Sequence, residues 1–398
     1  QNPSGAVFER LLGKKCGVPV HVCFTTITGL NDVRAKCTSE AADQYEEILG
    51  RHAAAAESHR LEDRSIIELV DGLLLHAVHR RASDIHIEPR NGTIVIRERV
   101  DGVLTVAATF GQSIHAAILQ RIKILANLAT DEHSTPQDGK FRYKTPDNED
   151  VDVRVSILPM THGEKIALRL LMANTAVITL ESLGLAAKEQ DMLQTEMKRS
   201  WGMILVTGPT GSGKTTTLYG IVRRLNSEAC NISTIEDPVE YDVEGVNQIQ
   251  VFEKVGLSFA SGLKSLVRQD PNILLVGEIR DTDTAKIAVN AAMTGHLVLS
   301  TLHTNNAVTA IPRLIDMGVE PFLIASTVNV IIAQRLVRKI CEHCRESIEV
   351  DVKKLEELLP KEILHAAGTK KKIRLYRGAG CTVCNKTGFY GRLGIFEM

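Results

Sequence analysis

Nine consecutive residues, Gly208, Pro209, Thr210, Gly211, Ser212, Gly213, Lys214, Thr215 and Thr216, contain the spacing G-x-x-x-x-G-K-[ST]. Glycines in such a run let successive backbone N–H groups converge on phosphates without side-chain clash, and a helix beginning there adds its positive dipole end. Lys214 would neutralise the terminal phosphate oxygens and Thr215 would place its hydroxyl on Mg²⁺. Carboxylates follow downstream. Glu236, Asp237 and Glu240 come after one short apolar run, and one of them can orient or deprotonate an attacking water. Glu278 follows the next run, within Gly277-Glu278-Ile-Arg280-Asp281, and is read as the carboxylate nearest the metal. His303, after a third run, is read as a sensor of the terminal phosphate. Arg154, Arg169, Arg268 and Arg280 are candidate clamps for charge on the transferring phosphoryl group. A second chemistry stands apart: Cys341-x2-Cys344-x36-Cys381-x2-Cys384 supplies four thiolates, enough to close a tetrahedral structural zinc site with no open position for catalysis.

The elements that would carry these groups are legible as patterns. Apolar runs at 203–206, 232–235, 273–276 and 297–299 alternate with helical segments, as expected for strands of a mainly parallel sheet buried on both faces. Leu218, Ile221, Val222 and Leu225 recur at helical spacing after the glycine-rich loop. Upstream, Ile66 to Val78 repeat at helical spacing, and Ile85, Ile87, Ile94, Ile96 and Val100 alternate as strands do, with a hairpin at Asn91-Gly92. A second helix over 114–128 and strands near 141–143, 151–157 and 166–171 complete an α+β unit. Residues 1–60 hold only a β-like stretch at 18–24 and an Ala-rich helical pattern at 38–57.

Composition narrows the partners. With 398 residues at roughly 150 per domain, two or three domains are expected, and 44% apolar with 24% charged residues excludes a disordered or fibrous chain. Lys+Arg 47 against Asp+Glu 48 leaves a net charge of −1, so no global field draws the chain to nucleic acid or an anionic bilayer. Aromatics at 4% remove the stacking surface of single-stranded nucleic-acid binders. The most apolar stretch, 322–337, is broken by Ser326, Thr327, Asn329, Gln334 and Arg335, so no membrane span is predicted. The remaining cysteines, Cys16, Cys23, Cys37 and Cys230, lack ligand spacing and read as small buried hydrophobes. Gln1 and Met398 are both read as something other than natural termini.

Together these motifs resemble the bacterial type II secretion and type IV pilus assembly ATPases over residues 61–398. The residues that carry the likeness are Arg81-Ala-Ser-Asp84-Ile-His86-Ile-Glu88-Pro89, the loop 208–216, Thr234-Ile-Glu-Asp-Pro-Val-Glu240-Tyr, Arg268-Gln-Asp270-Pro-Asn with Val276-Gly-Glu278-Ile-Arg-Asp281, and the segment 295–305 around His303. The resemblance implies an α/β fold: a P-loop RecA-like ATPase core preceded by a PAS-like α+β domain, with a small C-terminal zinc module. The expected divisions are 1–60 for the end of a partner-binding domain with its linker, 61–174 for the α+β domain, and 175–200 for a connector. The core spans 201–336 and the tetracysteine region 337–398.

The likeness also implies roles. Lys214 and Thr215 would bind ATP·Mg²⁺, Glu240 would activate water, Glu278 would take the Walker B role, His303 would sense phosphate, and Arg154 and Arg169 would enter from the first domain. Lys264 departs from the Arg of several relatives, which keeps charge but loses bidentate geometry. Retraction motors of the family typically lack the tetracysteine module, so an extending, polymerising motor is favoured. The expected protein is a hexameric ATPase driving pilin or pseudopilin polymerisation. It would sit on the cytoplasmic face of the inner membrane, through a platform protein and a membrane-anchoring partner, without nucleic acid. A nucleotide-gated scaffold without turnover and a DNA-translocating secretion ATPase are the alternatives. The stretch 361–377, with six basic residues against one acidic, reads as a solvated face or a docking surface for the platform protein.

Overall fold

A computed structural model describes residues 63–172, 179–355 and 372–398. The patterns expected at 18–24 and 38–57, Cys16, Cys23 and Cys37, and most of the basic stretch 361–377 lie outside the described residues.

The first unit begins with α1 (Asp63–His79), β1 (Ala82–Pro89), β2 (Thr93–Val100) and β3 (Val103–Gly111). It continues with α2 (His115–Leu125), β4 (Gln137–Lys144), β5 (Asp150–Met160) and β6 (Gly163–Met172). Its six strands form a sheet in the order β3-β2-β1-β6-β5-β4. Alternate residues of β1, β2, β5 and β6, among them Ile85, Ile87, Ile94, Ile96, Val153, Val155, Ile166 and Leu168, point to one face and bury against Leu69, Leu73, Ile118 and Ile122 of the two helices. Period-two alternation against helical periodicity thus builds one core. The other face is charged: Asp84, Arg97, Arg99, Lys165 and Arg169 alternate with the buried residues and form ion pairs across strands.

The chain then runs through α3 (Ala187–Met197), β7 (Gly202–Thr207), α4 (Lys214–Leu225), β8 (Ile232–Glu236), β9 (Asn247–Gln250) and α5 (Phe259–Leu266). It continues with β10 (Ile273–Val276), α6 (Thr282–Met293), β11 (Leu297–Leu302), α7 (Ala310–Asp316), α8 (Pro321–Thr327) and β12 (Val328–Ile340). A seven-stranded sheet follows the order β15-β12-β7-β11-β10-β8-β9, parallel from β12 to β9, with β15 (Phe389–Glu397) antiparallel at one edge. Every residue of β7, β8, β10 and β11 is buried, because helices cover both faces. Met203, Leu205, Leu274 and Val298 pack toward α5, α6, α7 and α8, while Ile204, Val206, Leu275 and Leu299 pack toward α3 and α4.

Two stretches carry no element pattern in the sequence. The apolar run 322–337 divides into α8 and the long strand β12, because Pro321 starts a helix that ends at Thr327 and β-branched residues follow. Strand β3 leaves Val103 and Val106 exposed, so its alternation carries little hydrophobic signal. Beyond β12, a two-stranded ribbon of β13 (Arg345–Asp351) and β14 (Lys372–Gly378) carries the cysteine pairs at its base. Two sets of contacts among the described residues join the first unit to the second. Arg154 on β5 meets Glu240, and Arg81 lies 3.6 Å over the Tyr390 ring while Asp101 Oδ2 accepts from the Gly391 N–H at 2.9 Å. No helix among the described residues is long and apolar enough to cross a membrane.

Candidate functional site

The glycine-rich loop joins β7 to α4 at the edge where β7, β8, β10 and β11 all end, the position at which parallel α/β sheets bind ligands. Its conformation demands glycine. Gly208 has φ +146° and Gly213 +86°, and a Cβ on Gly208 would lie 2.4 Å from the Gln334 carbonyl oxygen. The loop is thereby seated on β12, and Thr217 Oγ1 adds a 2.7 Å bond to Gln334 Oε1. On its other side Thr207 Oγ1 donates to the Thr304 carbonyl at 3.0 Å, tying the loop entrance to the segment just after His303. Ser212 Oγ is buried without a hydrogen-bond partner, Thr215 is exposed, and Lys214 Nζ donates to the Gly208 and Pro209 carbonyls at 3.0 and 3.1 Å. Burial lowers the Lys214 pKa, with the Glu278 carboxylate acting against that shift. A cradle that a Cβ would fill, an orphaned buried hydroxyl and a helix N-terminus fit a phosphate chain and its magnesium ion.

Glu278 sits directly beyond β10 and is nearly buried. Arg280 Nε lies 2.6 Å and His303 Nε2 3.2 Å from its Oε2. Three groups proposed from the sequence therefore form one cluster, whose carboxylate acts electrostatically on Lys214. Glu240 is met from the first sheet by Arg154, whose Nη2 is 3.3 Å from Glu240 Oε2 and donates at 3.3 Å to the Val239 carbonyl. Arg169 is placed elsewhere: it is Arg154's cross-strand neighbour, but its Nε lies 3.3 Å from Asp84 Oδ1. Arg268 is exposed and donates to Ser265 Oγ, and Lys264 is exposed nearby.

Other carboxylates of these clusters serve the fold. Asp281 caps α6, accepting from the Thr284 N–H at 2.8 Å and its hydroxyl at 2.9 Å. Glu236 is buried and accepts from Tyr219, from Thr234 Oγ1 at 2.6 Å and from Gln248 Nε2 at 3.2 Å. Sequence reasoning passed over Gln334, Thr207 and Thr304, because lone polar residues in or beside strands carry no motif until the strand order places them beside the loop.

The four cysteines of the C-terminal ribbon converge, with all Sγ atoms within 4.8 Å of one another. Cys341 and Cys381, Cys344 and Cys384, and Cys381 and Cys384 are 3.8, 3.8 and 3.7 Å apart. A tetrahedron with zinc–sulfur bonds of about 2.3 Å has edges of about 3.8 Å, far longer than a disulfide's ~2.05 Å. Backbone N–H groups of Gly380, Cys381 and Gly388 point at Cys344 and Cys384 sulfurs at 3.3, 3.2 and 3.3 Å. Burial pushes the Cys384 thiol up, but hydrogen bonds from the N–H groups of Cys381 and Gly388, together with those of the Cys381 and Cys344 side chains, bring it to about 7. The cage fits a structural zinc ion.

The parallel sheet, the phosphate loop and the acidic strand ends define a P-loop nucleotide-binding protein with a RecA-like core. A family model described as "Type II/IV secretion system protein" matches residues 59–398, and the chain belongs to that family. It is 46% identical over 337 residues to the type II secretion system ATPase E of Vibrio cholerae, covering 85% of this chain and 65% of that protein. It is 42% identical over 340 residues to the type IV pilus assembly ATPase PilB of Myxococcus xanthus, covering 85% and 59%. The chain thus spans about two thirds or less of the length of these relatives. Among solved structures, the pilus retraction motor PilT with bound ADP aligns with a TM-score of 0.52 at 29% identity, over 68% of this chain and 79% of that one.

Proposed function

We propose that the chain is the motor portion of an ATPase that hydrolyses ATP to drive pilin or pseudopilin polymerisation, in type II secretion or type IV pilus assembly. The observation that carries this reading is the cluster of Glu278 with Arg280 at 2.6 Å and His303 at 3.2 Å beside the Lys214 loop. The Glu278 carboxylate is buried while Arg280 and His303 reach it from the exposed side, an arrangement that supports handling of charge near the phosphate loop. Lys214 and the loop N–H groups hold the phosphates, and Thr215 with Glu278 would hold Mg²⁺, which supplies charge neutralisation on the phosphoryl oxygens. Glu240 orients or deprotonates the attacking water, and His303 registers whether the terminal phosphate is there. Arg154 arrives from the first sheet already paired to Glu240, so one guanidinium can exchange a carboxylate for the phosphoryl group and carry the state of the site into the first unit. Arg169, next in register, can join on closure.

Arg154 with Glu240, and Arg81 and Asp101 with Tyr390 and Gly391, join the two units, and the working divisions are the α+β unit over 61–174, connector 175–200, core 201–336 and zinc module 337–398, from which β15 (Phe389–Glu397) returns to the core sheet. Assembly as a homohexamer is part of the reading. So is a place on the cytoplasmic face of the inner membrane, through a platform protein and a membrane-anchoring partner, a reading supported by the likeness to the secretion and pilus ATPases. The Cys341, Cys344, Cys381 and Cys384 cage favours an extending motor. Phosphate release from Mg·ATP by wild type, Lys214→Ala and Glu278→Ala tests the proposal. Turnover by wild type, and background rates in both variants, are expected. Equal rates in all three would leave a nucleotide-gated scaffold instead.

A further inference from the structure

Glu236 ends β8 on the same edge as the phosphate loop, yet its carboxylate turns inward. Burial of a charge is tolerated only when donors satisfy it. Here the donors are Tyr219 from α4, Thr234 two residues earlier on the same strand and Gln248 from β9. Gln248 grips the next stretch of chain as well: its Nε2 donates to the Tyr241 carbonyl at 3.3 Å, and its Oε1 accepts from the Val243 N–H at 2.7 Å. Gln248 Nε2 also lies 3.4 Å from the Tyr219 hydroxyl. The Tyr219 and Tyr241 rings meet at 4.4 Å between centroids. Burial, then the Glu236 carboxylate, raise the Tyr219 pKa far above its ordinary value, while the Glu240 backbone N–H pulls the other way. Tyr219 therefore stays a protonated donor.

The turn that carries Glu240 is thus held at Glu236 on one side and at Tyr241 and Val243 on the other. The central tyrosine belongs to the helix that starts at Lys214. We infer that Tyr219 is a positioning residue: through its bond to Glu236 and its ring contact with Tyr241 it fixes Glu240 relative to the phosphate loop. This rests on the reading that Glu240 acts on water. The alternative is a tyrosine that only fills the core, and the two differ in what loss of one hydroxyl should do.

Tyr219→Phe in the full chain keeps the ring and deletes the donor. A misplaced reacting group costs up to about 10²-fold, so kcat is expected to fall by roughly ten- to a hundredfold, with KM and the affinity for a fluorescent ATP analogue held within about twofold. Amide hydrogen exchange over 237–243 should quicken by about tenfold while that of α6 stays as in wild type. Gln248→Ala should quicken the same amides without touching α4. Tyr241→Phe, which removes a hydroxyl that makes no hydrogen bond, should leave the exchange of 237–243 at the wild-type rate. Unchanged exchange over 237–243 in Tyr219→Phe would overturn the inference, whatever Gln248→Ala does. So would a joint loss of kcat, nucleotide affinity and melting temperature in Tyr219→Phe. Should the wild-type chain fail to split ATP, the functional reading falls, and the exchange comparison still decides whether Tyr219 holds the turn.

Discussion

Individual side chains divide the acidic clusters by environment, not by motif. Glu278 is paired with Arg280 and His303, whereas Asp281, three residues on, is occupied in capping α6. Glu278→Gln keeps shape and removes charge. Losing electrostatic stabilisation of this kind typically costs about 10²–10³ in kcat, so phosphate release should drop by that order while the melting temperature stays near wild type. Glu88 on β1 is a contrasting, structural carboxylate. Its burial would raise the pKa, but hydrogen bonds from Arg97 at 2.7 Å and Lys165 at 2.9 Å hold it at about 2 instead of 4.5. The folded pKa lies below the unfolded one, so this contribution is full above 4.5 and disappears as pH falls toward 2. Urea titrations of wild type and Glu88→Gln should differ most at neutral pH and converge across that window. A gap independent of pH would show that the charge is immaterial.

Among the elements, the phosphate loop depends on what lies behind it. Gly208→Ala puts a methyl group against the Gln334 carbonyl and forces an L-residue to φ +146°. Strain at such positions costs on the order of 1–3 kcal/mol, and the variant should lose nucleotide affinity as well as stability, read by calorimetric titration and thermal melting. Wild-type affinity in Gly208→Ala would mean that the loop can relax away from β12. The four buried strands were legible because full burial demands unbroken apolar runs, and the loop because its spacing is rare. Strands β9 and β12 were not: they are half exposed or follow a helix without a turn signal, and their residues acquire meaning only from the sheet order; of β15 only 394–396 read as strand-like. For the same reason Gln334 and Tyr219 looked ordinary in the sequence, while Glu240, Glu278 and His303 stood out through their motifs. Arg154 and Arg169 were indistinguishable there, and only Arg154 meets Glu240 in the fold.

Across the molecule, β12 runs from the phosphate loop at Gln334 to the metal cage at Cys341, and the chain returning from Cys384 places Tyr390 and Gly391 against Arg81 and Asp101 of the first unit. Zinc would hold this end of the sheet in register. Structural zinc sites contribute about 10–16 kcal/mol of apparent binding energy in small peptides. One zinc per chain is expected by elemental analysis, and Cys384→Ser or strong chelation should lower the melting temperature and speed amide exchange over 387–393. Absence of zinc from the folded wild-type protein would contradict the cage assignment. Sedimentation with Mg²⁺ and a non-hydrolysable ATP analogue should show hexamers, and a strict monomer would argue against the motor.

The central claim is that the groups at the end of the buried sheet break the terminal phosphate bond. Its most direct test is the identity of the nucleotide that stays bound after incubation with Mg·ATP, in wild type and in Glu240→Gln. The account predicts ADP on the wild-type chain and intact ATP on the variant, because Lys214 and its loop are unaltered while the group acting on water is gone. Intact ATP on both would contradict it.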